Sequence, residues 1–156
     1  MIGTVGSEEK AAIARSHGCA HVILYRSEDL VGRVMEISGG HGADVVYDAI
    51  GRDTFDRSLA SLAVRGHLVN YGQASGPIPP FEISRLAPKS ATISRPGYAH
   101  YIADRSALIA LADDLWQRIA AGSLRAEPGT PYPLADAAEA HRALEARAAG
   151  PIILVP

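Results

Sequence analysis

What this chain has little of already narrows its chemistry. Its 156 residues include 1 cysteine, Cys19, so neither a disulfide framework nor a thiolate zinc site can be built within one chain, and a reducing cytoplasm is the expected compartment. Neither sign of charge prevails: 15 Lys+Arg stand against 17 Asp+Glu, with no basic run. That removes the electrostatic reason to expect nucleic acid or an anionic membrane as a partner. Apolar runs approaching the roughly 20 residues needed to cross a bilayer are missing, and no signal-peptide pattern follows Met1. What remains, 47% hydrophobic and 21% charged residues, is the composition of one ordinary soluble domain with enough apolar side chains for a core.

Short β-branched runs alternate with stretches of helical period, which predicts an α/β fold on a parallel sheet. The predicted strands are Ile2 to Val5, His21 to Tyr25, Ala43 to Ile50, His67 to Tyr71, Ala91 to Ser94 and Pro151 to Val155, several of them reading as runs buried on both faces. Ser7 can cap a first helix ending near Gly18, and Ser27 a second that carries Leu30, Val34 and Ile37 on one side. Asp53 can begin a third, with Phe55, Leu59 and Leu62 in helical register up to Gly66, and Asp104 the longest, with Leu108, Leu111, Leu115 and Ile119 as a core-facing stripe. Ala135 to Arg147 is helical by propensity. The proline-rich segments Gln73 to Lys89 and Leu124 to Leu134 read as irregular.

In an open parallel sheet, ligands bind beyond the carboxyl ends of the strands. Those ends are VGSEEK, YRSED, DAIGRD and NYGQASG. Glycine lets a backbone approach a ligand closely, although it also punctuates many strand-to-helix turns that bind nothing. The first end is more informative. A dinucleotide-binding fold places a carboxylate there for an unphosphorylated ribose, whereas a 2′-phosphate needs cations and hydroxyls. Here Gly6 and Ser7 stand without a carboxylate, and Lys10, one of two lysines in the chain, follows a helical turn later. Glu8 and Glu9 argue the other way, so the residues alone leave the choice open. His17, Cys19 and His21 alternate like metal ligands but lack a fourth donor. There is no Tyr-x-x-x-Lys pair and no G-x-S-x-G elbow, and no catalytic residue is assigned.

The runs GTVGSEEKAAIARSHGCAHVILYRSEDL, GGHGADVVYDAIGRDTFDRSL, VNYGQASGPIPPF, SRPGYAHYI and YPLADAAEAHRALEARAAGPIILVP closely resemble the carboxyl-terminal half of zinc-independent quinone oxidoreductases. These form the zeta-crystallin-like branch of the medium-chain dehydrogenase/reductase superfamily. The resemblance implies NADPH as cofactor, quinones or other conjugated carbonyl compounds as substrates, and a dimer. It places Gly6, Ser7 and Lys10 around the 2′-phosphate, joined by Tyr25 and Arg147. The family's DSVG turn stands here as Asp48-Ala49-Ile50-Gly51, and its FGN turn beside the nicotinamide as Tyr71-Gly72-Gln73. Ile50, Gly51, Gly72 and Gln73 are therefore expected at the cofactor, Gln73 with a longer arm than the family's Asn.

The same resemblance implies a Rossmann-type doubly wound, mainly parallel sheet that lacks its first strand and glycine-rich turn. Residues 1–134 would be a partial NADPH-binding domain that starts at its second strand. Residues 135–156 would be a helix and strand that return to an absent substrate domain. Such a chain is expected to be inactive alone, and pairing with a second copy is expected through the edge strand near Ala91 to Ser94. The alternative function is a non-enzymatic binding or dimerisation module. A missing central strand would leave Ile2 to Val5 and Ala43 to Ile50 without their shared partner; the repairs open to the chain are direct pairing of these two, insertion of the spare strand Pro151 to Val155, or a strand from another chain, with terminal-strand insertion or exchange the expected one.

Overall fold

The computed structural model describes residues 1–125, 129–146 and 150–156. It is a mixed α/β structure whose paired strands all run parallel, and it divides into two compact units, Met1–Tyr98 and Ala99–Pro156.

In the first unit, β1 (Ile2–Val5) leads into α1 (Glu8–Ser16), whose N-cap Ser7 accepts a hydrogen bond from the Lys10 amide at 3.4 Å. This is the start that the sequence predicts. β2 (His21–Leu24) then lies parallel to β1, from Ile2 opposite His21 to Val5 opposite Leu24. The cap of α2 (Leu30–Ile37) differs from expectation: its N-cap is Asp29. Ser27 is instead folded into the turn before it, where the Ser27 and Glu28 amides both donate to the Leu24 carbonyl. Ile23, Leu30 and Val34 form one small core there.

A second sheet has the order β3 (Ala43–Asp48), β4 (Leu62–Asn70), β5 (Thr92–Ser94). Its core is Phe55, Leu59, Leu62, Leu68 and Ala91, with the Phe55 and Phe81 rings tilted against each other at 5.0 Å between centroids. The helix predicted to reach Gly66 is shorter: α3 covers Phe55–Ala60 and the chain is already extended at Leu62. Leu62 serves the core from a strand as well as it would from a helix, because apolar spacing alone does not distinguish the two over so short a run. The register against β3 jumps between Ala43 and Val45, where Arg65 takes φ 63°, the left-handed turn of a bulge.

Burial on both faces is not met in β3. Val45 and Tyr47, two residues apart and so on one face of the strand, are 48% and 72% exposed, and β3 has β4 on one side and, among the described residues, no strand on the other. Nor does the terminal strand fill that gap. β7 (Ile152–Val155) pairs parallel with β6 (Thr130–Pro133) in the second unit, Thr130 opposite Ile152 through Pro133 opposite Val155. The segment expected to be irregular thus supplies a strand. Both strands of this two-stranded sheet are edges, where the prolines flanking Tyr132 are tolerated.

The second unit also holds α5 (Arg105–Ala120), after the short α4 (Tyr98–Tyr101) that begins at the end of the first, and α6 (Ala137–Glu145). Asp104 caps α5 as predicted, accepting from the Ala107 amide at 2.8 Å. The Ser106 hydroxyl and then that amide hold its carboxyl below the ordinary carboxylate range. The cap is therefore complete above that ordinary range and is lost as pH falls through the lowered value. The expected core role of the α5 stripe is corrected: Leu108, Leu111 and Leu115 are exposed, as is Trp116. A helical period marks a face that would gain from being covered without supplying the cover.

Candidate functional site

The first unit brings the expected residues together in two groups, at the carboxyl ends of adjacent strands. At the end of β1, a Cβ built on Gly6 would lie 3.2 Å from the Tyr25 hydroxyl and 3.3 Å from Nε of Arg26. Gly6 is thus the patch of bare backbone on which two polar side-chain tips converge. Ser7 and Lys10 follow in the first turn of α1, and the Tyr25 amide bonds the Val5 carbonyl at 3.2 Å, which holds the two strand ends level. Arg147, expected at the same place, lies outside the described residues.

The second group is the pair of turns after β3 and β4. Gly51 has φ 88°, and a Cβ there would sit 2.7 Å from the Gly76 carbonyl and 3.1 Å from Cα of Gln73. A Cβ on Gly72 would fall 2.4 Å from the Ala49 carbonyl oxygen. Both glycines are required by backbone passing close to backbone. Bonds from the Ala74 amide to Ala49, the Ser75 amide to Ile50 and the Arg52 amide to Gly76 stitch the turns into one ledge. The Ser75 hydroxyl adds a bond to the Ile50 carbonyl at 2.8 Å. Ile50, Gly51, Gly72 and Gln73 all belong to this ledge.

The side chains that hold the ledge lie outside the expected set of cofactor-binding residues. Asp48, the last residue of β3, is 4% exposed. Its carboxylate accepts from the Ile50 and Gly51 amides at 2.8 and 3.0 Å and from the Thr54 and Ser58 hydroxyls at 2.9 and 2.8 Å. A buried carboxylate with this many donors is a fixed hub. Asn70, at the end of β4, donates to the carbonyls of Asp48 and Gly72. The signal is present in the sequence: Thr54, the N-cap of α3, and Ser58 within the helix are four residues apart, a spacing that can aim two hydroxyls the same way.

Arg57 spans the two groups. One terminal nitrogen donates to the Tyr25 carbonyl at 2.7 Å, the other to the Asp53 carbonyl at 3.0 Å, and the guanidinium lies 5.9 Å from the Tyr25 ring centroid. Together the elements offer glycine backbone at two sets of strand ends, with a hydroxyl and cations at one and a hydrogen-bonded ledge of turns at the other. That arrangement suits an extended anionic ligand better than a nucleophile and its base.

Comparison with known proteins places the chain among its relatives. Residues 1–114 match the family described as zinc-binding dehydrogenase. Quinone oxidoreductase 1 of Escherichia coli K12 is 42% identical over 160 residues, covering 100% of this chain and 49% of the relative. A 2-haloacrylate reductase from a Burkholderia species is 42% identical, covering 100% and 48%. Among solved structures, the Escherichia coli quinone oxidoreductase complexed with NADPH superposes with a TM-score of 0.93 at 42% identity, over 99% of this chain and 49% of that one. The chain spans about half the length of the curated relatives it matches.

Proposed function

This chain belongs to the zinc-binding dehydrogenase family, and we propose that it is the cofactor-binding part of an NADPH-dependent quinone oxidoreductase. The observation that carries the proposal is the convergence of the Tyr25 hydroxyl on Gly6 beside Ser7 and Lys10, in a chain with 42% identity to a quinone oxidoreductase solved with NADPH. Among the described residues, no group of three or more His, Cys, Asp or Glu side chains could hold a metal ion, so the zinc in the family's description has no donor set there and enters no step.

The residues fit the nucleotide. Gly6, Ser7, Lys10 and Tyr25 would receive the 2′-phosphate, Arg147 being proposed with them, and Ile50, Gly51, Gly72 and Gln73 would receive the nicotinamide end. When bound, NADPH supplies the hydride that such reductases pass to an acceptor. The chain's own part is to bind and orient. The glycines keep the ledge free of side chains, the Asp48 hub fixes the turn amides, and Arg57 holds the Tyr25 backbone. A reacting pair gains most of its rate from such positioning.

Because relatives named for quinones and for 2-haloacrylate stand at the same identity, the acceptor is proposed only as a class, quinones or other conjugated carbonyl compounds. Residues 1–134 are proposed as the NADPH-binding part and 135–156 as a segment returning to a substrate domain. The 156-residue chain alone is proposed to be inactive, with one wall of its substrate cleft wanting. Cytoplasmic location is proposed, and no described helix is long and apolar enough to cross a membrane. A homodimer is proposed through β5, which ends its sheet and leaves an edge to pair.

Titration calorimetry with NADPH and NADH tests the reading. NADPH should bind more tightly. Lys10→Ala should weaken NADPH by roughly 1 to 3 kcal/mol, the range for a charge-assisted bond, with little change for NADH. Equal losses for both cofactors would remove Lys10 from the 2′-phosphate site.

A further inference from the structure

We propose that Arg26 is a second cation of the 2′-phosphate site, so that selection of a 2′-phosphorylated adenosine rests on Arg26 and Lys10 together. The proposal depends on the NADPH reading above and adds to it a residue outside the expected set.

Placement comes first. Arg26 follows Tyr25 where β2 ends, and successive side chains of a continuing strand would point to opposite faces. The strand does not continue: the Ser27 and Glu28 amides fold back onto the Leu24 carbonyl at 3.0 and 2.9 Å. The turn brings Arg26 over the end of β1, where its Nε and Cζ lie 3.3 and 3.5 Å from the point a Gly6 Cβ would occupy. The Tyr25 hydroxyl is 3.2 Å from that same point. Two consecutive side chains thus converge on one glycine, beside the first turn of α1.

Availability comes second. Two of the acidic side chains nearby are committed elsewhere. Glu28 accepts from the Leu24 amide at 2.6 Å and pairs with Arg33 at 3.4 Å, and Glu8 pairs with Arg15 at 3.7 Å. Among the described residues, Arg26 has no ion pair and no side-chain hydrogen bond, and its side chain is exposed to water. A guanidinium presents a planar fork that matches two phosphate oxygens at once, which an ammonium cannot do. The Tyr25 hydroxyl beside it supplies a further donor.

The experiment uses the 156-residue chain with two probes that need only the adenosine end of the cleft, adenosine 2′,5′-bisphosphate and adenosine 5′-monophosphate. Affinities are read from amide chemical shifts. The chain should prefer the bisphosphate, Arg26→Gln should cut that preference about tenfold, the scale of one charge-assisted contact, and Arg26→Lys should cut it less. Binding of the 5′-monophosphate should stay unchanged in both. If Lys10→Ala abolishes the preference while Arg26→Gln leaves it intact, the role of Arg26 is overturned and the cofactor reading stands. Equal weakening of both probes by Arg26→Gln would also overturn it, as a structural effect. If the unsubstituted chain has no preference for the bisphosphate, the cofactor reading itself falls and Arg26 falls with it.

Discussion

Asp48→Ala should cost roughly 3 to 5 kcal/mol of folding stability, the range for stranding the partners of a buried charged group. The carboxylate is the common acceptor of two amides and two hydroxyls, and alanine would leave all of them facing a void. The Thr54 hydroxyl has a fallback in the Gly51 carbonyl at 3.3 Å, but the Ile50 and Gly51 amides have no second acceptor among the bonds of the described residues. Asp48→Asn separates shape from charge: it keeps the volume and one acceptor oxygen while turning an NH2 group toward donors, so most of the loss should persist. Urea unfolding followed by circular dichroism measures both. A loss below about 1 kcal/mol for Asp48→Ala, the worth of a single ordinary hydrogen bond, would mean that the hub is not what holds the turn.

Gly72→Ala should be the most damaging of the glycine substitutions in the ledge, at about 3 kcal/mol, the upper end of the cost of forcing an atom into packed structure. The added methyl would overlap the Ala49 carbonyl oxygen and lie 2.9 Å from Cα of Ala49. Neither atom can move without moving β3, because the same stretch is bonded to the Ala74 and Ser75 amides. Gly39→Ala is the control. Gly39 has φ 62° with nothing within 4 Å of its Cβ position, so alanine there meets only the backbone preference, about 1 kcal/mol. Similar melting losses for the two variants would show that the close approach at Gly72 is relieved by relaxation.

Much of this was legible in the sequence because it is local. Ser7 and Asp104 cap their helices where a hydroxyl or carboxylate precedes a helical period, and the β-branched runs of β1, β2 and β3 begin at the residues predicted. The misses are non-local. Leu62 could serve a helix or a strand, and only its position opposite Ala43 decides for the strand. Ile152 to Val155 was an apolar run in search of a partner, and its partner is a segment whose prolines disguise it. Gly6, Ser7 and Lys10 are marked by the first strand end itself, where the residues leave the choice of ligand open, and Tyr25 is added by the family resemblance. The residues that fix the site, Asp48, Thr54, Ser58 and Arg57, act through contacts between elements that no single window of sequence contains.

Arg57 has a consequence for how the two ends of the cleft communicate. Its two terminal nitrogens hold carbonyls in turns that follow strands of different sheets, Tyr25 after β2 and Asp53 after β3. A guanidinium is planar and rigid, so its two contacts do not adjust independently. Linkage then requires reciprocity. Whatever stabilisation a ligand at Tyr25 transmits through Arg57 to the Asp53 turn, a ligand resting on that turn transmits to Tyr25 in equal measure. One side chain thus ties together the two turns that are proposed to receive the two ends of the cofactor.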